Sequence, residues 1–147
     1  MQKAVELGVG DIVPVMMSRC VSRPEEKAME KKVQRWQKIA ESAAKQSGRG
    51  RIPRVLPCVS YGTALKNAQG DKILFYEGGG TPLTKLIAHP QEISLFIGPE
   101  GGISGEEYEQ AVAAGAMTAT LGPRILRTET APLAALAAVM LLTGNME

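Results

Sequence analysis

Ile97-Gly98-Pro99-Glu100-Gly101-Gly102 is the stretch that decides how this chain is read. It follows the apolar run Ile93-Ser94-Leu95-Phe96 and leads into a helix start at Ser104. Parallel α/β sheets bind ligands where a strand ends in a glycine-rich turn before a helix, because free backbone N–H groups and the helix N-terminus converge there. Two other turns repeat the pattern. Glu77-Gly78-Gly79-Gly80-Thr81-Pro82 follows the strand-like Lys72 to Tyr76, and Leu121-Gly122-Pro123-Arg124-Ile125-Leu126-Arg127-Thr128-Glu129-Thr130-Ala131 follows Met117 to Thr120. Three strand-end loops are therefore expected to enclose one small-molecule pocket.

Outward from these loops, apolar strand runs and helical periods alternate. Gln2 to Gly8 reads as the last turns of a helix stopped by glycine, and Ile12 to Met16 as a strand. This entry in mid-pattern is expected of a piece of a longer protein. Ser22-Arg23-Pro24-Glu25 has capping-box spacing, and Ala28, Met29, Val33, Trp36, Ile39, Ala40 and Ala43 then recur at helical spacing, which predicts a helix from Pro24 to Gln46. Val55 to Val59 predicts a strand, Tyr61 to Ala68 a short helix, and Glu92 to Ile97 and Met117 to Leu121 two further strands. Between the last two, Ser104-Gly105-Glu106-Glu107 is a capping box opening a helix to Ala114. Such alternation demands a mostly parallel α/β sheet flanked by helices on both faces. The final helix, Glu129 to Leu142, is apolar nearly all round, so it is expected to be buried on every side, its far face against a second copy of the chain.

The 147 residues suit one domain with a substantial core, and nothing interior resembles a linker. The longest apolar run, Ala131 to Leu142, is shorter than the roughly 18 residues of a membrane span, and no export signal opens the chain, so a cytoplasmic protein is expected. Cys20 and Cys58 lack metal-ligand spacing and read as buried thiols of a reducing compartment. Positive charge gathers between residues 24 and 54, where nine Lys/Arg against four Asp/Glu give +5, leaving −3 elsewhere from the total of +2. Such a segment suits either a phosphate-facing surface or a solvated helix face.

Several chemistries are excluded. The chain has no dinucleotide or phosphate-loop fingerprint and no nucleophile elbow. Its single histidine, His89, lies before Pro90 at an expected surface turn and leaves histidine triads and metal sites poorly supplied. What the loops do offer is glycine for close backbone approach, with Ile97, Leu121, Ile125 and Leu126 to bracket a flat apolar ring such as adenine. Arg124 and Arg127 stand ready at the rim for an anionic group or for developing negative charge.

These residues also carry a resemblance. Glu6-Leu7-Gly8-Val9 with Ile12-Val13-Pro14, Lys31 to Ala40, Ala43 to Arg49 through Pro53, the Ile97 to Gly102 motif with Ser104 and Glu107, and Leu121 to Ala131 together resemble the RsmE family of 16S rRNA uridine-N3 methyltransferases. The match runs in order over essentially the whole chain. It implies a SPOUT-type fold with a deep C-terminal trefoil knot, a homodimer without metal, and S-adenosylmethionine (SAM) held by the knotted loops. The cofactor residues so implied are Phe75, Tyr76 and Glu77; Ile97, Gly98, Pro99, Glu100, Gly101 and Gly102; and Leu121, Gly122, Ile125, Leu126, Arg127, Thr130 and Ala131. Family members usually begin with a small RNA-binding barrel that this sequence lacks, so residues 1–147 are expected to be the SPOUT methyltransferase domain alone. Methyl transfer to uracil N3 needs stabilisation of carbonyl charge, for which Arg124 and Arg127 are the candidates, and a proton acceptor, for which Glu129 or Glu100 is. Two other readings are a SPOUT enzyme acting on tRNA or another rRNA position, and a non-catalytic RNA-binding module.

Overall fold

The computed structural model describes residues 1–87 and 92–146, so His89 lies outside the described residues. The chain opens with α1 (Gln2–Glu6), β1 (Asp11–Ile12) and β2 (Val15–Met16), followed by the long helix α2 (Glu26–Gln46). Next come β3 (Arg54–Val55), β4 (Val59–Ser60), α3 (Tyr61–Asn67), β5 (Asp71–Phe75), β6 (Thr81–Pro82) and α4 (Leu83–Leu86). β7 (Ile93–Ile97), α5 (Gly105–Ala113), β8 (Met117–Thr120) and α6 (Ala131–Leu142) complete it. Among the described residues no helix is long and apolar enough to cross a membrane.

The expected mostly parallel α/β architecture is present. The main sheet has the order β6-β8-β5-β7, and each neighbouring pair is parallel. Successive strand residues point to opposite faces, and β5 shows why the sheet needs helices on both. Leu74 enters a cluster with Met17, Tyr61, Leu65, Ile103 and Ala111 from the α3 and α5 side, whereas Ile73 and Phe75 pack with Leu83, Ala135 and Val139 from α4 and α6. A third cluster of Val5, Ala40, Ala43, Ala44 and Val55 seats α1 and β3 against α2.

Several boundaries differ from the sequence expectation. The two expected strands before the main sheet each split in two: β1 pairs with β3 through Asp11↔Arg54, and β2 pairs with β4 through Val15↔Val59, so one extra residue separates the second pair. Pro14 and Pro57 lie in the gaps, where neither can donate to a continuing ladder. Helix α2 starts at Glu26, with Glu25 as N-cap and no side-chain capping bond, so Ser22 forms no capping box. Pro24 biases Arg23 away from helical geometry, which displaces the start. Helix α6 begins two residues later than expected; within the single chain Ala135, Leu136 and Val139 are buried, and Leu141, 62% exposed, and Leu142, 40%, lie on the face expected to meet a second copy. β6 and α4 were not foreseen, because two strand residues and one helical turn carry no periodicity. Cys20 and Cys58 are free and half-buried rather than buried, and burial followed by the nearby Cys20 pushes the Cys58 thiol up.

Candidate functional site

Parallel registration puts three strand ends side by side. Phe75 is level with Ile97 of β7 on one flank and with Ala119 of β8 on the other, so all three loops leave the same sheet edge.

The first loop turns at once, with Gly79 N–H donating to the Tyr76 carbonyl at 3.2 Å and Gly79 at φ +103°. The Tyr76 ring stacks on Tyr108 of α5, centroids 4.7 Å apart. In the second loop Gly102 N–H closes a turn onto the Pro99 carbonyl at 2.9 Å with φ +76°, a conformation that favours glycine. Glu77 ties these two loops together, its Oε1 accepting Ile103 N–H at 3.2 Å. In the third loop Gly122 N–H donates to Thr120 Oγ1 at 3.2 Å, and the Arg127 carbonyl accepts Thr130 and Ala131 N–H, both at 2.8 Å, to launch α6. Leu121 and Leu126 are half-buried and Ile125 is 85% exposed. Arg124, Arg127 and Glu129 are exposed and make no side-chain hydrogen bond or ion pair among the described residues; Glu100, at the tip of the second loop, is likewise exposed.

The capping box on α5 is present as expected: the Ser104 hydroxyl accepts Glu107 N–H at 3.2 Å, and Glu107 Oε2 accepts Ser104 N–H at 2.9 Å. Sequence reasoning missed the second task of this carboxylate. Glu107 is only 6% exposed, and its Oε1 accepts Ser18 N–H at 2.7 Å. Burial alone pushes the carboxyl up, but the hydrogen bonds from Ser18 and Ser104 outweigh it and hold the group below its ordinary range. Arg19 donates to the Gly101 carbonyl at 3.3 Å, and a Cβ on Gly101 would sit 2.8 Å from Arg19 Cβ. The segment after β2 is thus a fourth wall against the glycine loop. No local signal announces it, since Ser18 and Glu107 are 89 residues apart. Nearby, the buried Tyr61 phenol is pushed up to about 12 by burial and by the Glu107 charge.

A cavity of about 360 Å³ lies between β6 and α4, the end of β8, and α6, with Leu121, Gly122, Leu141 and Leu142 in its wall. Of the three loops expected to share a pocket, the third lines it and the first reaches it only through Pro82; Glu77 and the Ile97 to Gly102 stretch border the same sheet edge further along. Among the described residues no group of three or more His, Cys, Asp or Glu is placed to hold a metal ion.

Comparison with known proteins agrees with this arrangement. A family model described as an RNA methyltransferase domain matches residues 1–140. Ribosomal RNA small subunit methyltransferase E of Bacillus subtilis is 40% identical over 94% of this chain and 58% of its own length, and the same-named protein of Mesomycoplasma hyopneumoniae 38% over 90% and 58%. The chain thus spans under two thirds of these relatives. Among solved structures, the Neisseria gonorrhoeae ribosomal RNA small subunit methyltransferase E bound to S-adenosyl methionine superposes with a TM-score of 0.87 at 43% identity, covering 97% of this chain and 59% of that one. A Legionella pneumophila protein in complex with bound SAM gives 0.92 at 34% identity, covering 97% and 59%. With so near-complete a match to the family model and such close superposition on these folds, the chain belongs to the RNA methyltransferase domain family, alongside the ribosomal RNA small subunit methyltransferase E proteins.

Proposed function

We propose that this chain is the SPOUT domain of a SAM-dependent methyltransferase that modifies N3 of a uridine in 16S rRNA of the small ribosomal subunit, acting in the cytoplasm as a homodimer. The observation that carries this reading is the meeting of three glycine-bearing loops at one parallel sheet edge, two of them joined by the Glu77 to Ile103 hydrogen bond. Family membership and the SAM-bound relatives support it.

The residues present fit the cofactor. Gly79 and Gly122 hold positive φ with open space where a side chain would stand, so a ligand can reach the backbone there. The cavity beside Leu121 and Gly122 falls within the roughly 300–1,000 Å³ of small-molecule sites. Leu121, Ile125 and Leu126 supply apolar surface for an adenine, with Thr130 and Ala131 at the start of α6 beside them. Phe75, Tyr76, Glu77 and the Ile97 to Gly102 loop would hold the remainder, and the same reading takes the third loop and α6 as the knotted segment.

Bound SAM supplies an electrophilic methyl group on a sulfonium. The protein's part is to position the uracil in line with that methyl and to manage the N3 proton and the charge left on the flanking carbonyl oxygens. Arg124 and Arg127, exposed and without a side-chain partner among the described residues, could face those oxygens. Glu129 or Glu100 would accept the proton directly or through water.

Calorimetry should give stoichiometric SAM binding by this chain. In a full-length version carrying the family's RNA-binding barrel, Arg127→Ala should lower methylation of small-subunit rRNA about 100-fold, the scale of one lost oxyanion donor. Mass spectrometry of the digested rRNA should place the methyl on uridine N3. No SAM binding at micromolar protein would overturn the enzyme reading, and an unchanged rate and SAM affinity in Arg127→Ala would remove that arginine from the mechanism.

A further inference from the structure

Helix α2 carries a cationic stripe that nothing else in the described chain neutralises. Lys27, Lys31, Arg35, Lys38 and Lys45 are all exposed. At about 100° per residue they fall within roughly 80° of one another around the axis. The opposite face, with Ala40, Ala43 and Ala44, is buried in the cluster with Val5 and Val55. Glu26, Glu30 and Glu41 fall along one flank rather than among the cations, so the helix separates its charges by sign.

The basic residues that follow α2 are already engaged. Arg51 and Arg54 share Asp11 in ion pairs, and Arg49 donates to the carbonyls of Val5 and Val9 at 3.0 and 2.8 Å. Among the described residues, the five side chains of the stripe make neither an ion pair nor a hydrogen bond. Lys27, Lys31 and Arg35 follow one another at i, i+4, a spacing at which like charges weaken a helix. The stripe runs for about 27 Å along the axis, at 1.5 Å per residue, enough to follow several successive phosphates.

We propose that the outer face of α2 is a track for the phosphate backbone of RNA, separate from the loops at the sheet edge. The inference rests on the methyltransferase reading and deepens it, assigning the binding of substrate backbone to a helix outside the pocket. Lysine-rich contacts of this kind position a nucleic acid without reading its sequence. RNA fits better than an anionic membrane, because an interfacial helix must also lay an apolar face into the lipid. In α2 that face is occupied: Ala40, Ala43, Ala44, Val33 and Trp36 pack against α1 and β3.

The test compares Lys31→Gln/Lys38→Gln with the equally charged control Lys66→Gln/Lys85→Gln on two exposed sites of other helices. Anisotropy of a labelled single-stranded oligouridylate is followed over a salt series, with circular dichroism to confirm folding. At about 0.7 per single-strand phosphate contact, the slope of log K against log salt should fall by about 1.4 in the stripe variant and stay unchanged in the control. SAM affinity should be the same in both. An unchanged slope in the stripe variant, equal losses in the two variants, absence of RNA binding, or lysine-dependent sedimentation with anionic vesicles in place of RNA would each overturn the track. Loss of the stripe effect with SAM binding intact condemns the track alone; absence of SAM binding with the stripe effect intact condemns the enzyme reading alone.

Discussion

Glu107 is the buried charged side chain among the described residues, and its two oxygens serve two separate parts of the fold. One caps α5 through Ser104, and the other holds the segment after β2 through Ser18. Its folded pKa lies below the ordinary value of 4.5, so the ionised form favours the native state. The resulting stabilisation is fully present above about pH 4.5 and is lost as pH falls through the lower folded pKa. Glu107→Gln keeps the shape but replaces a charged acceptor by a neutral one and sets an amide N–H₂ against one of the two donors. Denaturant unfolding near neutral pH should show a loss of about 1–3 kcal/mol. The variant's stability should also vary less with pH in the acid range. A variant curve parallel to the parent's through that range would show that the carboxylate is not the titrating group. The sequence displayed half of this residue's role. The spacing of Ser104 and Glu107 is a local signature, whereas the partner at Ser18 arrives only through tertiary folding.

At the scale of elements, what was legible depended on how many residues carried the pattern. The five-residue β5 and β7 and the nine-residue α5 repeat their periods often enough to be read, the twelve-residue α6 is long enough to be read from its unbroken apolar run, and the loops after β5, β7 and β8 could be placed from them. The two-residue strands β1 to β4 were read as longer ones, because apolar runs on either side of Pro14 and Pro57 look continuous until ladder donors are counted. The convergence of the loops was legible, but the single pocket expected of all three is not what the structure shows: the cavity takes Leu121 and Gly122 from the third loop, Pro82 from the first and nothing from Ile97 to Gly102. Side chains such as Glu77, whose sequence position says nothing of its reach to Ile103, decide how the loops meet. That link yields a test. A Cβ on Gly102 would overlap Glu77 Oε1, and φ +76° favours glycine. Gly102→Ala should destabilise the chain by about 1–2 kcal/mol from the backbone conformation alone, and Glu77 should swing away from Ile103. In a double-mutant cycle, Glu77→Ala should therefore cost less in the Gly102→Ala background than in the parent. Strict additivity in chemical denaturation would mean that the two loops are not coupled through this contact.

The molecule as a whole leaves apolar surface where the chain ends its last helix. Ala135 and Val139 pack against the sheet and Leu136 is buried, whereas Leu141 projects from the other side of α6 at 62% exposed. Ile125, 85% exposed in the loop that launches the helix, adds to this surface. A helix without a polar face is normally covered on all sides, and the proposed homodimer supplies the cover by setting α6 of one copy against the other. In a two-fold interface each substitution is felt twice. At about 1.5–3 kcal/mol for a fully buried leucine, Leu141→Lys should weaken the dimer by roughly 10²- to 10⁴-fold. Sedimentation velocity at micromolar concentration should show the parent as a dimer and the variant as a monomer with unchanged helical content. Leu141 also borders the cavity beside Leu121, so assembly and cofactor affinity are measured side by side. Loss of both would place the dimer contact against the pocket, while loss of SAM binding with the dimer intact would assign Leu141 to the pocket alone. A parent chain that sediments as a monomer would remove the homodimer from the proposal and leave the apolar end of α6 as one wall of the SAM site.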